Sequence, residues 1–291
     1  MPELPEVQTT VNGLNKTVKG KRIIDVWTDY NSAYHAGKDN IKDPKFFTLF
    51  KRKVKGQKIL KAERRAKNVL IHLSGGNTII VHMKMTGHFV YDRPDYPFTR
   101  LDLRLDNGRH LVLSDMRKFA KVTLVETNGL EKSLHLEHLG PEPLDKNFQF
   151  VIFNLQIQKR PKGKIKTVLM DQTLISGIGN IYSDEILWRA LVHPLSHPDR
   201  IPEKNLKLMF KATKETLKKG IDFGGDSMSD YRNIKGERGK FQNYHRAYRR
   251  TGKVCGLPAQ AGKSGCKGTI QRMIVGARSA HFCPIHQKLF T

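Results

Sequence analysis

The sequence predicts an α+β fold in which a β-sandwich with packed helices comes first, a helical domain follows and a compact basic unit ends the chain. Between residues 22 and 125, short apolar or alternating runs are separated by turn residues, a pattern typical of strands. After residue 143 the apolar side chains recur at helical spacing instead. The last stretch, residues 241–291, is basic and holds every cysteine of the chain.

The first element predicted is an N-terminal helix. Pro5 suits a first helical position, where its missing N–H costs no hydrogen bond. The apolar residues of this segment are spaced to form one helical stripe, composed of Leu4, Val7, Val11 and Leu14.

The same segment can also carry chemistry. A small residue after Met1 allows the methionine to be removed, which would leave Pro2 as a secondary amine at the N-terminus. An α-amino group with a pKa near ~8 keeps a usable neutral fraction at physiological pH. Such an amine can attack a sugar or carbonyl carbon and form an iminium, with Glu3 and Glu6 beside it. The helical and chemical interpretations are compatible.

The strands of the sandwich are predicted over residues 79–81, 101–105, 111–113 and 122–125. A Gly-Gly-Asn turn precedes the first of them, and Asn107 with Gly108 separates the second from the third, as hairpin turns do. A sandwich or barrel with the first helix packed on it follows from this pattern.

The helical domain is predicted from a Lys-rich segment whose apolar side is formed by Leu206, Phe210, Thr213 and Leu217. We place the preceding domain boundary between Thr127 and Leu139. The Gly-rich, basic stretch over residues 224–239 predicts an exposed and mobile loop.

The charge balance predicts a polyanionic partner. The chain has 52 Lys and Arg against 27 acidic residues, a formal net charge of +25 that is spread along the sequence. Binding of nucleic acid with release of counterions explains this surplus most simply. An anionic membrane is the competing partner, but no basic amphipathic helix or long apolar span supports it. Because Glu3 and Glu6 interrupt any signal-peptide pattern, we expect an intracellular protein, in nucleus or cytoplasm, that is not secreted.

The three cysteines predict either a local metal site or no special chemistry. Cys255, Cys266 and Cys283 all lie near the C-terminus, and their odd number argues against a disulfide framework.

Five short motifs resemble those of one family in the family's order. They are Pro-Glu-Leu-Pro-Glu-Val at 2–7, Arg-Arg-Ala-Lys at 64–67, His-Met-Lys-Met-Thr-Gly at 82–87, Asp-Met-Arg-Lys-Phe at 115–119 and Ile-Ser-Gly-Ile-Gly-Asn-Ile-Tyr at 175–182. They resemble the formamidopyrimidine-DNA glycosylases and their endonuclease VIII relatives, the Fpg/Nei family, over nearly the whole chain. The resemblance implies a catalytic β-sandwich domain over 1–132, a helix-two-turn-helix DNA-binding domain over 133–240 and a finger-like hairpin over 241–291.

The resemblance also implies the catalytic residues. Pro2 would attack C1′ of a damaged nucleotide, expel the base and leave an iminium on which β- and then δ-elimination cut the strand. Glu3 fits the family's acid, which protonates the sugar ring oxygen. Lys67 would reach the phosphate or sugar at the lesion, and Glu6 would orient the site. Without the family, Glu3 would be an ordinary first-turn carboxylate, Glu6 would face solvent on the second helical turn and Lys67 would be a solvated strand-edge cation.

Other matched positions are implied to bind DNA. Met85, Arg117 and Phe119 match the residues that fill the gap left by the extruded base. On their own, Met85 and Phe119 would be core residues and Arg117 a surface charge. In the Gly-rich turn, Asn180 would donate to a phosphate.

Three further positions complete the implied DNA contacts. Lys166 would add a phosphate contact near that turn, and Arg278 would grip a phosphate from the hairpin tip. His82 belongs to the matched motif that also contains Met85, and it is counted with the DNA-binding residues.

The last segment departs from the family pattern. Many members close with a zinc finger of two Cys-x2-Cys pairs, but here Pro258 stands where a second cysteine belongs and the final pair is Cys283 and His286. A Cys3His site that uses Cys255 and Cys266 as well is the alternative, although ten residues between those two cysteines fit no usual ligand pair. We expect a zincless finger and no organic cofactor.

The resemblance predicts an enzyme of base excision repair that acts as a monomer on double-stranded DNA with oxidised bases or abasic sites. The missing zinc pair favours a Nei-like member and hence oxidised pyrimidines. Two alternatives stay open: an AP-site lyase with little base excision, and a non-catalytic protein that binds damaged DNA through the same basic surface.

Overall fold

The computed structural model describes residues 1–30, 32–257 and 265–291. Pro258, whose identity suggested the loss of a zinc ligand, lies outside the described residues. The chain divides into two units: Met1–His138 with Ile221–Gln242, and Leu139–Gly220 with Asn243–Thr291. These units cut across the domain ranges expected from the sequence, so that division into three domains stays a prediction.

The first unit contains two helices and eight strands among its described residues. Their bounds are α1 (Leu4–Thr17), β1 (Ile23–Thr28), α2 (Pro44–Val54), β2 (Ile59–Arg65), β3 (Asn68–Leu73), β4 (Asn77–His82), β5 (His88–Tyr91), β6 (Thr99–Leu105), β7 (His110–Ser114) and β8 (Lys121–Glu126). The N-terminal helix and the four strands predicted from the sequence are all present.

The strands form two antiparallel four-stranded sheets, in the orders β1-β6-β7-β5 and β2-β3-β4-β8. Alternation explains which face is buried: in β6, Leu101, Leu103 and Leu105 are buried while Arg104 is exposed. One core joins buried residues of both sheets with Val7, Val11 and Leu14 of α1. The predicted sandwich with a packed first helix is therefore observed.

The segment 221–242 packs into this first unit, although its glycines predicted an exposed loop. Ser227, Tyr231 and Ile234 are buried, and the carbonyl of Ile234 accepts the N–H of Tyr91 at 2.9 Å. The exposed-loop prediction is wrong for these residues, because large side chains placed between the glycines anchor the segment to the core.

The second unit is mainly helical and ends in a hairpin. Its elements are α3 (Phe150–Gln158), α4 (Ile165–Met170), α5 (Asn180–Ala190), α6 (Glu203–Asp222, which ends in the first unit), β9 (Gln271–Val275) and β10 (Arg278–Phe282). Leu206, Thr213 and Leu217 of the predicted stripe are buried, and the Phe210 ring lies 5.7 Å from that of Phe153.

None of the helices in the described part of the chain combines the length and the apolar character needed to cross a membrane.

Candidate active site and nucleic-acid interface

The N-terminal end of α1 is a buried centre with two carboxylates. Pro2, Glu3 and Glu6 are buried, whereas Met1 is exposed. Glu3 is the N-cap of the helix, and its N–H donates to Glu6 Oε2 at 2.8 Å. Free N–H groups at a helix N-terminus favour negative charge, which suits both carboxylates. The structure thus brings together three of the four predicted catalytic residues.

Glu6 is held by the segment 221–242. Its Oε1 accepts the N–H of Asp226 at 2.7 Å, and its carbonyl accepts the hydroxyl of Tyr231 at 3.0 Å. Burial, followed by the nearby Glu6 charge, raises the pKa of Tyr231, so this hydroxyl stays a donor. Gly225 has a φ of +86°, and a Cβ there would lie 3.0 Å from Glu6 Cγ. Glu6 therefore faces the buried segment around Gly225, Asp226 and Tyr231 rather than solvent.

Lys67 lies toward the same end of α1. Helix α1 runs antiparallel to β2, because Asn15 exchanges two hydrogen bonds with Ala62 and Gln8 accepts one from Arg64. The turn that follows β2 continues this direction and carries Lys67 toward the helix N-terminus. Lys67 is only 8% exposed, so it is not the solvated strand-edge cation of the simpler interpretation.

His82 ends β4 and is neutral in this structure. Burial, reinforced by the charges of Lys84 and Lys67, lowers the pKa of His82 to about 3. Its Nδ1 accepts the N–H of Lys84 at 3.1 Å. His82 therefore shapes the start of the turn that carries Met85, in addition to any contact with DNA.

Met85, Arg117 and Phe119 lie on two loops that are tied together. Thr86 Oγ1 donates to Asp115 and accepts the N–H of Arg117. The ring of Phe119 is 48% exposed and the Arg117 guanidinium carbon lies 4.6 Å from its centroid. Phe119 is not the core residue that the simpler interpretation expected, whereas Arg117 is exposed, as that interpretation expected, and stacks on Phe119.

Two residues that position these loops were given no role from the sequence. Asp115 is fully buried, and its second oxygen accepts the N–H of Ala120 at 2.7 Å, so one carboxylate holds both loops. Gly87 is required because a Cβ there would lie 2.4 Å from the carbonyl of Met83. Both residues lie in the family motifs at 82–87 and 115–119, so their importance could have been predicted from the sequence.

In the second unit, Asn180 begins α5 directly after the Gly-rich turn. Gly177 adopts a φ of +91°, and Gln172 fixes the turn because it accepts the N–H of Gly177 at 2.9 Å and donates to the carbonyl of Ile178 at 2.8 Å. The Asn180 amide nitrogen donates to Ser279 Oγ at 3.4 Å. Among the described residues, Asn180 Oδ1 is buried without a hydrogen-bond partner.

Arg278 is exposed at the hairpin tip, as predicted. The turn between β9 and β10 consists of Gly276 and Ala277, whose φ angles of 55° and 59° are typical of a two-residue hairpin turn. Ser279, next to Arg278, contacts Asn180. The structure therefore brings two predicted phosphate-binding residues close together.

Lys166 differs from the expectation of a phosphate contact. It is fully buried, and its Nζ lies 2.5 Å from Asp184 Oδ1 and 3.1 Å from Ser183 Oγ. The second oxygen of Asp184 accepts a hydrogen bond from the backbone N–H of His281 at 2.9 Å and lies 2.8 Å from His281 Nδ1. Asp184 and His281 had been missed, because nothing in the local sequence pairs residues 97 positions apart. This network ties α4 and α5 to the hairpin.

The structure assembles the Cys3His group that the sequence had made the weaker alternative. The ligand atoms of Cys255, Cys266, Cys283 and His286 lie within 4.8 Å of one another. Cys266 and Cys283 Sγ are 3.6 Å apart, and Cys255 Sγ is 3.1 Å from His286 Nδ1. Thiolates around a tetrahedral zinc ion are separated by about 3.8 Å, so the donor set and its spacing fit this metal.

The surroundings of the cluster also suit a metal. His286 Nε2 lies 3.2 Å from the carbonyl of Trp188, which leaves Nδ1 to face the thiols, and the Trp188 indole N–H donates to Cys255 Sγ at 3.2 Å. Without a metal, burial raises the pKa of Cys255 to about 12 and lowers that of His286. The expectation of a metal-free finger has no support in this geometry, because chain folding brings distant cysteines together.

The fold and these sites define a nucleic-acid-binding protein with a buried carboxylate centre at its amino terminus. Comparison with known proteins specifies its family. Residues 1–122 match the formamidopyrimidine-DNA glycosylase N-terminal domain, and residues 139–232 match the formamidopyrimidine-DNA glycosylase H2TH domain.

Relatives and solved structures agree. The formamidopyrimidine-DNA glycosylase of Solibacter usitatus is 37% identical over 288 residues, covering 99% of this chain and 100% of that protein. That of Protochlamydia amoebophila is 36% identical over 296 residues, with 99% and 100% covered. The structure of Lactococcus lactis Fpg with DNA containing an abasic site has a TM-score of 0.85 at 30% identity and covers 98% and 99% of the two chains. A mutant of that protein with DNA containing Fapy-dG has a TM-score of 0.84 at 30% identity, covering 99% and 100%.

The chain belongs to the formamidopyrimidine-DNA glycosylase family. This confirms the resemblance recognised in the motifs and the α+β fold class. The expected activity class, a DNA glycosylase of DNA repair, agrees with this membership.

Proposed function

We propose that this protein is a bifunctional DNA glycosylase and AP lyase that removes oxidised bases from duplex DNA through a Schiff base on Pro2. The observation that carries the proposal is the buried N-terminus of α1, where Pro2 adjoins Glu3 and the clamped Glu6. Groups held in advance by the fold lower the cost of reaching the reactive geometry. Relatives that bear the glycosylase name over their full length support the same conclusion.

The proposed chemistry uses the residues at this centre. After removal of Met1, the Pro2 nitrogen forms a bond to C1′ while the bond from C1′ to the damaged base breaks. Glu3 gives a proton to the ring oxygen, which opens the sugar and leaves an iminium. Loss of a C2′ proton then expels the 3′ phosphate, and a second elimination expels the 5′ phosphate. Hydrolysis of the iminium returns the Pro2 amine.

Glu6 and Lys67 have supporting roles in this proposal. Glu6 orients the helix N-terminus, since it bonds to the backbone of Glu3 and of Asp226. Lys67, brought to the same end of α1 and shielded from solvent, would bind the phosphate or sugar at the lesion. An ammonium group that is already buried loses less hydration when the phosphate arrives.

Base extrusion would use Met85, Arg117 and Phe119. An exposed aromatic ring with a guanidinium stacked on it suits insertion into a base stack and pairing with the orphaned base. Because Asp115 and Thr86 fix the two loops to one another, the three side chains would enter the duplex as one rigid group.

Phosphate binding in the second unit would use Asn180 and Arg278. The orphan N–H groups of α5 and the Asn180 side chain form an anion site at the helix N-terminus. Lys166, being buried against Asp184, would act here as a positioning residue.

For the lesion, we propose formamidopyrimidine and related oxidised purines. The preference for oxidised pyrimidines rested on a missing zinc pair, and the Cys3His geometry removes that basis. The relatives carry the formamidopyrimidine name, and a relative's solved complex contains Fapy-dG. The pyrimidine preference stays untested.

We also propose that the finger binds one zinc ion through Cys255, Cys266, Cys283 and His286. A bound zinc ion would supply a structural cross-link and no step of the reaction. It would fix the loop before β9 to the segment after β10, the strand that begins with Arg278.

Trapping with borohydride tests the enzymatic proposal. Duplexes carrying Fapy-dG, 8-oxoguanine, thymine glycol, 5-hydroxyuracil or an abasic site are incubated with the protein and borohydride, beside the Pro2→Gly variant. We expect a covalent complex with the purine lesions and the abasic site. Pro2→Gly should lose trapping on the purine lesions, although its primary amine can still form an imine at a site that is already abasic. Trapping on the abasic duplex alone would favour the AP lyase, and binding without any trapping would favour the non-catalytic protein.

A further inference from the structure

A second basic surface lies at the far end of α1. Two segments, residues 16–22 and 51–58, contain nine Lys and Arg among fifteen residues, whereas the whole chain has 52 in 291. We call these two segments the distal basic patch. Such a density exceeds what the general positive charge of the chain accounts for.

The fold places the two segments side by side. The Ile23 N–H donates to the carbonyl of Gln57 at 2.9 Å and the Gly56 N–H to the carbonyl of Ile23 at 2.7 Å. Arg22 and Lys58 form an antiparallel bridge. Cations distant in sequence therefore share one surface, although like charges repel and such clustering costs stability.

Acidic side chains of the chain itself neutralise little of the positive charge of the distal basic patch. Of its nine cations, only Lys51 forms an ion pair among the described residues, with Asp25 at 2.9 Å. Lys19, Lys55 and Lys58 are exposed and appear in no ion pair of the described chain. A surface of this kind gains free energy when a polyanion releases its bound counterions.

The patch is separate from the proposed active site. Helix α1 has 14 residues, so about 21 Å of helix separate the Pro2 end from Lys16 and Lys19. A nucleotide held at Pro2 therefore does not itself reach the patch.

The partner is identified by what the patch contains and lacks. Within the two segments the apolar side chains, Val18 and Val54, are buried, and the exposed apolar residues that flank them in sequence are two leucines, Leu49 and Leu60. Interfacial membrane binding requires a broader apolar face. Evenly dispersed ammonium and guanidinium groups suit a phosphodiester backbone.

We propose that the distal basic patch binds the backbone of a second duplex DNA segment while the lesion site is occupied. This inference goes beyond the proposed catalytic function, which needs only one duplex. A second contact would let the enzyme move between neighbouring DNA segments without full dissociation.

The test loads the lesion site first. The wild-type protein is trapped with borohydride on a short abasic duplex, and a labelled undamaged duplex is then titrated while anisotropy is measured at several salt concentrations. We expect the trapped complex to bind the second duplex. A Lys19→Glu, Lys55→Glu, Lys58→Glu variant should bind it about tenfold more weakly, with a salt slope smaller by about 2.7 for three lost phosphate contacts.

A matched control separates position from charge. The Lys204→Glu, Lys207→Glu, Lys211→Glu variant changes three exposed lysines of α6 and gives the same change in net charge. It should retain most of the second binding, and thermal melts should show all variants folded. Equal loss in both variants, or no second binding by the wild-type complex, overturns the proposal. Loss of binding to phosphatidylserine vesicles without loss of duplex binding would also overturn it.

Failure of the proposed function is visible separately. If no covalent complex forms, the catalytic proposal has failed before the second duplex is added. The protein is then mixed with one equivalent of unlabelled abasic duplex, and the patch is tested by the additional binding of labelled undamaged duplex, under the same criteria.

Discussion

The two polar centres of this protein are built in different ways. At the N-terminus of α1, Glu6 is held by backbone N–H groups of Glu3 and Asp226. In the finger, side chains of Cys255, Cys266 and Cys283 converge on His286, and burial alone would keep the Cys255 thiol protonated. The first centre is complete without any added group, whereas the second has donors that satisfy one another poorly until a metal replaces their protons.

The difference teaches where each centre is vulnerable. A backbone-held carboxylate is damaged by steric or conformational changes of the segments around it. A side-chain cluster is damaged by loss of one ligand or of the ion itself. Removing the metal or altering Gly225 tests this contrast, and two further changes test buried ionisable groups outside the two centres.

Removal of the finger metal should have the largest effect. We expect one zinc per chain by elemental analysis, and loss of that zinc in Cys266→Ser, because three ligands hold a structural ion poorly. DNA affinity should fall by at least about tenfold, since a single lost charge-assisted contact at Arg278 is worth ~1.5–3 kcal/mol. In contrast, loss of zinc should leave the hydrogen bonds between Glu6 and the segment 221–242 intact. Tryptic cleavage of that segment should therefore be unchanged. A chain purified without zinc that binds DNA with full affinity would contradict the metal proposal.

Breaking the buried Lys166–Asp184 pair should come next. Asp184→Asn leaves an uncompensated ammonium in a fully buried position, and such losses cost about 3–5 kcal/mol of unfolding free energy. Urea denaturation measures this.

A second variant tests whether the loss of stability comes from the unpaired charge. Lys166→Met combined with Asp184→Asn removes both charges and should recover part of the lost stability. If Asp184→Asn alone costs less than ~1 kcal/mol, the pair does not organise the interface of α4, α5 and the hairpin.

A methyl group at Gly225 should disturb the first centre. Ala at a φ of +86° is strained, and its Cβ would lie 3.0 Å from Glu6 and from the Tyr231 ring. We expect Gly225→Ala to reduce base excision about tenfold and stability by ~1–2 kcal/mol. Gly224→Ala is the control, because its φ is +71° but its Cβ would meet only Gly239 at 3.8 Å. Equal effects of the two substitutions on excision would argue against steric displacement of Glu6.

The smallest effect expected is a change in acid stability. The pKa of His82 is lowered to about 3 in the folded chain, against about 6.5 when unfolded. Full stability is present above pH 6.5 and is lost as the pH falls from 6.5 toward 3, because the unfolded state takes up the proton first. His82→Asn keeps an acceptor for the N–H of Lys84 and removes the titration. It should flatten this part of the stability curve by roughly 1–2 kcal/mol at about pH 5.5; an unchanged curve would exclude His82 as a source of acid lability.

Much of the fold and the first centre could be predicted because their signals are local. The leucines of β6 alternate within one strand, and Pro2, Glu3 and Glu6 lie within a single turn of helix. Pairings across long distances in sequence could not be predicted. Nothing near Asp184 points to His281, and Tyr231 gives no sign that it bonds to the first turn of α1.

The finger also shows that contacts between segments distant in sequence are hard to predict. Ligand spacing along the chain argued against Cys255 and Cys266 as partners, yet the fold brings them to the same point. Spacing rules describe metal sites made by one turn and fail when two segments supply the ligands. The prediction for Lys166 was wrong in the opposite sense, because its position shortly before the Gly-rich turn carries no information about burial.

The central claim is that the nucleophile is the nitrogen of Pro2. The most direct measurement is mass spectrometry of the borohydride-trapped complex after nuclease and protease digestion. The account predicts a peptide that begins at Pro2, without Met1, and carries the deoxyribose remnant on its amino nitrogen. A remnant attached to Lys67 or another lysine, or a trapped peptide that retains Met1, would contradict it.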